Sequence, residues 1–249
     1  MGKTHEALER VEKEYKEVMA ETPLETQQAM VPKKPEQLPA RAPLEKYQQV
    51  KAKLITLFPE MSIKTIMVTS TAYGDGSSTT AVGLATALAR DCKLKVLLID
   101  VNLRSPSLHE VFKIEYDLGL FNLLTRRNNE KPSVFRKQAY GDLYVIPSGG
   151  IHTGPLTLFE SNRFDNFLKS VREKFSYVIL DAPPVNDCAE PRVIGPKADG
   201  VILVIEAGKT RWQVAVQAKQ ELEDSGAKLL GVVLNKRKHY IPKWIYKRL

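Results

Sequence analysis

A short apolar run, Thr65-Ile66-Met67-Val68-Thr69, is followed by Gly74-Asp75-Gly76-Ser77-Ser78-Thr79-Thr80 and then by a stretch with helical periodicity. Glycines ahead of a helix let several backbone N–H groups converge on an anion at the positive end of the helix dipole. A complete phosphate loop adds a lysine for the β- and γ-phosphates and a Ser/Thr hydroxyl for Mg²⁺. Here Ser78 stands at the hydroxyl position with Thr79 beside it, and Ser77 stands where the lysine belongs. Gly74, Asp75, Gly76, Ser77, Ser78 and Thr79 are the candidate nucleotide contacts. The same residues also fit a serine-capped helix that binds nothing.

Two aspartates favour the nucleotide reading. Asp100 ends the run Val96-Leu97-Leu98-Ile99, and Asp181 ends the run Tyr177-Val178-Ile179-Leu180. A carboxylate at the end of a buried strand is costly unless it meets solvent, a cation or a partner. Beside a glycine loop, the pair suggests a Mg²⁺ site made by Ser78, Asp100 and Asp181. The alternative is that each aspartate caps its own following turn.

The elements that position these residues alternate. Runs at Thr65–Thr69, Val96–Asp100, Leu143–Pro147, Tyr177–Asp181, Gly200–Ile205 and Leu229–Asn235 read as strands, with helices at Ser78–Arg90, Phe164–Lys174 and Gln213–Ser225. Continuous apolar strands alternating with helices imply an α/β domain of the P-loop type, a mostly parallel sheet covered on both faces. Ligands in such sheets bind beyond the carboxyl ends of the strands. That places the loops after Thr69, Asp100, Asp181 and Asn235 at one rim and makes Asn235 a further candidate nucleotide contact. Ahead of this domain, residues 4–20 carry Leu8, Val11, Tyr15 and Val18 at helical spacing, an amphipathic helix within a segment spanning 1–21. Residues 22–43 contain five prolines and read as a semi-stiff linker. A second amphipathic helix over 44–57 opens the α/β domain, 44–235, with Leu44, Tyr47, the Lys51 stem, Leu54 and Phe58 on one side.

Composition limits the function further. The chain has 249 residues and a net charge of +8. Residues 1–43 hold seven Lys/Arg against eight Asp/Glu, whereas residues 236–249 hold six Lys/Arg and no acid. The excess therefore belongs to a basic aromatic tail, and no nucleic-acid partner is expected of the domain as a whole. No apolar run approaches a membrane span, the charged start does not read as a signal peptide, and Glu6 departs from a myristoylation motif. Cys92 and Cys188 lack the spacing of a disulfide framework or metal site. A cytoplasmic protein is expected, with a peripheral position at the inner face of the plasma membrane through the tail.

Taken together, Val68–Ala89, the segment Val96 to His109, Tyr177 to Pro184, and Ala198 through Asn235 make the chain resemble the bacterial tyrosine kinases of capsule and exopolysaccharide biosynthesis. The opening Met1-Gly2-Lys3-Thr4 and the ending Tyr240-Ile241-Pro242-Lys243-Trp244-Ile245-Tyr246 are similar to the stand-alone cytoplasmic form. The resemblance implies ATP or ADP and Mg²⁺ held among the glycine loop, Asp100 and Asp181, with Asp100, Asn102 and Asp181 at the catalytic positions. It implies C-terminal tyrosine acceptors, here Tyr240 and Tyr246, and transfer between neighbouring subunits. It also implies a membrane-spanning chain-length regulator or co-polymerase as partner, and a homo-oligomer or a sister kinase.

Four departures from that pattern point one way. Ser77 replaces the loop lysine. Asn102 replaces an aspartate two residues after Asp100, which keeps the shape and loses the charge. The helix over 44–57 carries Glu45, Gln48 and Lys51 where Glu-x-x-Arg-x-x-Arg is expected, so two guanidinium forks are missing. The tail offers two tyrosines in place of a dense cluster. Lys64 and Lys209 are the lysines that could compensate for Ser77. The expectation is a pseudokinase or weak kinase acting as a regulatory partner, the alternative being an active ATP-dependent tyrosine autokinase.

Overall fold

The computed structural model describes residues 44–57, 63–91, 94–115, 118–125 and 134–237. The expected N-terminal helix, the proline linker and Tyr240 and Tyr246 lie outside the described residues.

Seven strands form one sheet. In chain order they are β1 (Thr65–Ser70), β2 (Val96–Asp100), β3 (Phe135–Arg136), β4 (Leu143–Ile146), β5 (Tyr177–Asp181), β6 (Gly200–Glu206) and β7 (Leu229–Asn235), in the spatial order β3-β4-β2-β5-β1-β6-β7. The short β3 runs antiparallel to β4, and every other pair is parallel. The helices are α1 (Leu44–Leu57), α2 (Ser77–Ala89), α3 (Leu108–Phe112), α4 (Leu120–Thr125), α5 (Leu156–Phe159), α6 (Asn162–Lys174), α7 (Glu190–Ile194) and α8 (Trp212–Asp224).

The strands predicted from apolar runs form where expected because β1, β2 and β5 are covered on both faces. Their residues alternate between two cores. One contains Met67, Leu97, Leu180 and Leu203 with Phe164 of α6 and Leu222 of α8. The other contains Ile66, Val68, Leu98 and Ile179 with Leu84 and Leu88 of α2. Strand β7 departs from the expectation. It is an edge strand, and Val232 and Leu234 are 51% and 55% exposed.

Helix α1 packs on α2 through a close approach that the sequence pattern only half shows. The Tyr47 ring lies against Gly83, so that a Cβ at Gly83 would meet ring carbons at 2.4 Å. Val50 and Leu54 complete the contact.

Candidate nucleotide site

The phosphate loop leaves β1 at the crevice where strand order reverses, between β5 and β6. Its shape rests on two glycines with left-handed backbone, Gly74 at φ 88° and Gly76 at φ 97°. Gly76 is doubly constrained, because a Cβ there would lie 2.2 Å from Asn235 Nδ2. It is also the N-cap of α2, and no side chain caps that helix. The serine-capped alternative therefore fails, and the first N–H groups of a thirteen-residue helix are left for another acceptor.

Several other loop polar groups are bound within the protein. The buried Asp75 carboxylate accepts from the Thr71 hydroxyl and from Ala72 N at 3.1 Å. Asn235 Nδ2 donates to Asp75 O at 2.9 Å, and Lys236 Nζ donates to Gly74 O at 2.8 Å. Asp75 and Asn235 thus hold the loop's form with their side chains. Ser70 Oγ donates to Ala72 O at 3.1 Å and lies 3.4 Å from Ser77 Oγ. A hydroxyl pair occupies the position at which the expected lysine would start. Ser78 and Thr79 follow in the first turn of α2, both partly exposed.

Neither compensating lysine serves the loop. Lys64 Nζ donates to Arg172 O at 3.4 Å, at the opposite end of β1. Lys209 Nζ is held by Glu206 at 3.1 Å. The lysine that does contact the loop is Lys236, and its ammonium is on the Gly74 carbonyl and 3.6 Å from Glu206.

The acidic side of the crevice is built by register. Asp100 and Asp181 are paired neighbours on β2 and β5, and both are fully buried. Asp100 accepts from Asn102 N at 3.1 Å, Ser107 N at 3.0 Å and Leu108 N at 3.1 Å. Burial nevertheless pushes it up to about 7, the three N–H bonds only partly opposing the shift. Neither oxygen of Asp181 has a hydrogen-bond partner. Burial, and then the neighbouring Asp100, raise its pKa well above the usual range; the Ser78 hydroxyl opposes this weakly, without closing a good bond on either oxygen. Two buried carboxyls, that of Asp181 with neither oxygen satisfied, beside a serine hydroxyl are a donor set suited to a hard divalent cation. Asn102 is otherwise engaged: its Oδ1 accepts from Ser105 N at 3.1 Å and staples the turn after β2.

One feature escaped sequence reasoning. Arg104 Nε donates to the buried Glu190 at 2.7 Å, tying the loop after β2 to the start of α7. Arg104 lay within the recognisable motif, but only the fold shows its partner. On α1, Glu45 and Gln48 are exposed, whereas Lys51 reaches Asp91 at 3.7 Å within its own chain.

Known proteins share this fold. A family model described as an AAA domain matches residues 63–223. The tyrosine-protein kinase YwqD of Bacillus subtilis is 35% identical over 196 residues, covering 78% of this chain and 81% of that one. The tyrosine-protein kinase CpsD of Streptococcus agalactiae is 33% identical over 174 residues, covering 70% and 75%. The crystal structure of the chimerical protein CapA2B2 superposes with a TM-score of 0.73 at 31% identity, covering 78% of this chain and 85% of that one.

Proposed function

The chain belongs to the bacterial tyrosine-protein kinases of capsule and exopolysaccharide biosynthesis, and on that premise we propose that it binds nucleotide while having given up most of its phosphoryl transfer. The observation that carries this reading is the Ser70–Ser77 hydroxyl pair, which stands where the family's loop needs a cation. Phosphoryl transfer is chiefly positioning and charge stabilisation, so a missing cation at the γ-phosphate removes a central contribution.

In this reading the N–H groups from Gly76 to Thr79, at the uncapped start of α2, take the phosphates, with Asn235 bracing the loop from behind. Ser78, Asp100 and Asp181 would hold Mg²⁺, which when bound neutralises phosphate charge. Asn102 cannot take a proton and acts as a turn staple. The protein would then work as a regulatory partner of a membrane-spanning polysaccharide co-polymerase, as a homo-oligomer or beside a sister kinase that modifies Tyr240 and Tyr246. Residues 236–249, basic and aromatic, would keep it at the inner face of the membrane.

An active autokinase is the second reading, favoured by the names its relatives carry. Calorimetry with ATP and ADP in Mg²⁺, followed by a phosphotyrosine blot, separates the two. Weak binding with no phosphotyrosine supports the proposal. Robust autophosphorylation of the unaltered protein overturns it.

A further inference from the structure

The most exposed large apolar side chain among the described residues is Trp212, at 78%. It opens α8 and has company. Ala218 and Leu222 turn one face of α8 into the core, and Glu221, 3.4 Å from Arg192, marks the side toward α7. At about 100° per residue, Trp212 and Val216 lie on the other side, toward β7. On β7, Val232 and Leu234 pair with Leu203 and Ile205. Leu203 shares its core with Ala218 and Leu222, so Val232 and Leu234 lie on the α8 face of the sheet. A helix crossing back between parallel strands sets its N-terminus beside their carboxyl ends. The four exposed side chains therefore meet at one corner of the carboxyl rim.

Charge is sorted in the same direction. Lys209, Arg211, Lys236 and Arg237 are exposed around this corner, and Glu206 is the acid among them, accepting from Lys209 at 3.1 Å. The acids of α8, Glu221, Glu223 and Asp224, gather at its far end. An exposed tryptophan and aliphatic side chains within a cationic rim fit the headgroup layer of an anionic bilayer, where aromatic rings settle and Lys/Arg meet lipid charge. An added peptide strand would pair the open edge of β7 without meeting Trp212 on α8, whereas a flat anionic surface meets both elements at once.

We propose that the corner formed by Trp212, Val216, Val232 and Leu234 is a membrane-contacting surface that seats the folded domain on anionic lipid with its carboxyl rim, and so its phosphate loop, toward the bilayer. The assignment rests on the proposed position at the inner face of the membrane. It gives the contact to the domain, where that reading gave it to the tail.

Trp244 is the only other tryptophan in the chain, so a full-length Trp244→Phe variant reports Trp212 alone. Its emission is followed with vesicles of equal parts phosphatidylglycerol and phosphatidylcholine, and with phosphatidylcholine alone, alongside co-sedimentation and iodide quenching. The expected result is a blue shift and protection from iodide on the anionic vesicles only. Adding Arg211→Glu and Arg237→Glu should weaken vesicle partitioning about tenfold or more. If anionic vesicles sediment the protein while Trp212 stays open to iodide, the tail makes the contact, and the proposal falls while the inner-face reading stands. If no vesicle sediments it, both fall.

Discussion

The phosphate loop and the carboxylate pair face each other across one crevice in opposite states. On the loop, Asn235 and Lys236 satisfy the Asp75 and Gly74 carbonyls, Asp75 is bonded to Ala72 N, Ser70 pairs with Ser77, and the Lys236 ammonium is engaged by Gly74 and Glu206. In the pair, Asp181 has two buried oxygens without a partner, and Asp100 is raised by burial beside it. The loop's carbonyls and the Asp75 carboxylate are satisfied as they stand, whereas the pair is built at a cost that a bound cation would relieve. A site decaying as a whole would be expected to lose the costly half first, because that half lowers stability when nothing is bound. Carboxylates of this kind beside a loop without its lysine are what the proposed reading, binding with little phosphoryl transfer, requires.

The largest effect expected from breaking this asymmetry comes from giving the loop its charge. Ser77→Lys should raise phosphotyrosine formation by about a hundredfold, the scale of one transition-state charge contact, and should tighten ATP more than ADP. An unchanged blot from that variant, with ATP bound, would place the defect at Asn102 or the subunit contact. Next in size is Gly76→Ala, which forces a side chain into left-handed backbone and onto Asn235. It should cost roughly 1–3 kcal/mol in denaturant unfolding and abolish nucleotide binding. Gly74→Ala, strained but unobstructed, should cost about 1–2 kcal/mol.

The carboxylate side predicts a pH response of definite sign. The Asp100 pKa is raised in the folded state to about 7, so its contribution to stability is fully present below its ordinary pKa of 3.8 and is lost as pH rises through 7. Without divalent ions, Tm should fall between about pH 4 and 7, and Asp100→Asn should flatten that slope. Saturating Mg²⁺ should flatten it too, since a bound cation takes over the proton's role. A slope indifferent to both would mean that the two carboxyls are not a cation site. The smallest effect is expected of Asn235→Ala, which removes one hydrogen bond behind the loop and should cost about 1 kcal/mol, with a modest loss of ATP affinity.

How much of this was legible in the sequence follows from which residues obey local rules. Strands β2 and β5 were readable to the residue, because full burial demands unbroken apolar runs and each run ends in an aspartate. Their adjacency, which makes Asp100 and Asp181 a pair, is a property of strand order that no local pattern encodes. The loop's glycines were visible, but the fastening of Gly74 and Asp75 by residues about 160 positions later was not. Strand β7 misled because Leu229–Leu234 has the composition of a central strand, and only topology puts it at the edge. The short helices α3, α4, α5 and α7 are too brief to show a period, and β3 spans two residues.

The fastening of the loop by Asn235 and Lys236 has a mechanical consequence. Both residues stand at the end of β7, the outermost strand, which is held along one side only. A load applied at Arg237, just after β7, would reach that strand before any other. Peeling β7 from β6 would draw Asn235 and Lys236 off Asp75 and Gly74 while β1, β2 and β5 stayed packed between their helices. The phosphate loop is thus wired to the end of β7, and a tug there would slacken it well before the core feels any force. In a pulling experiment with the handle attached at position 237, bound nucleotide should therefore register as added resistance in the first and smallest rip of the trace.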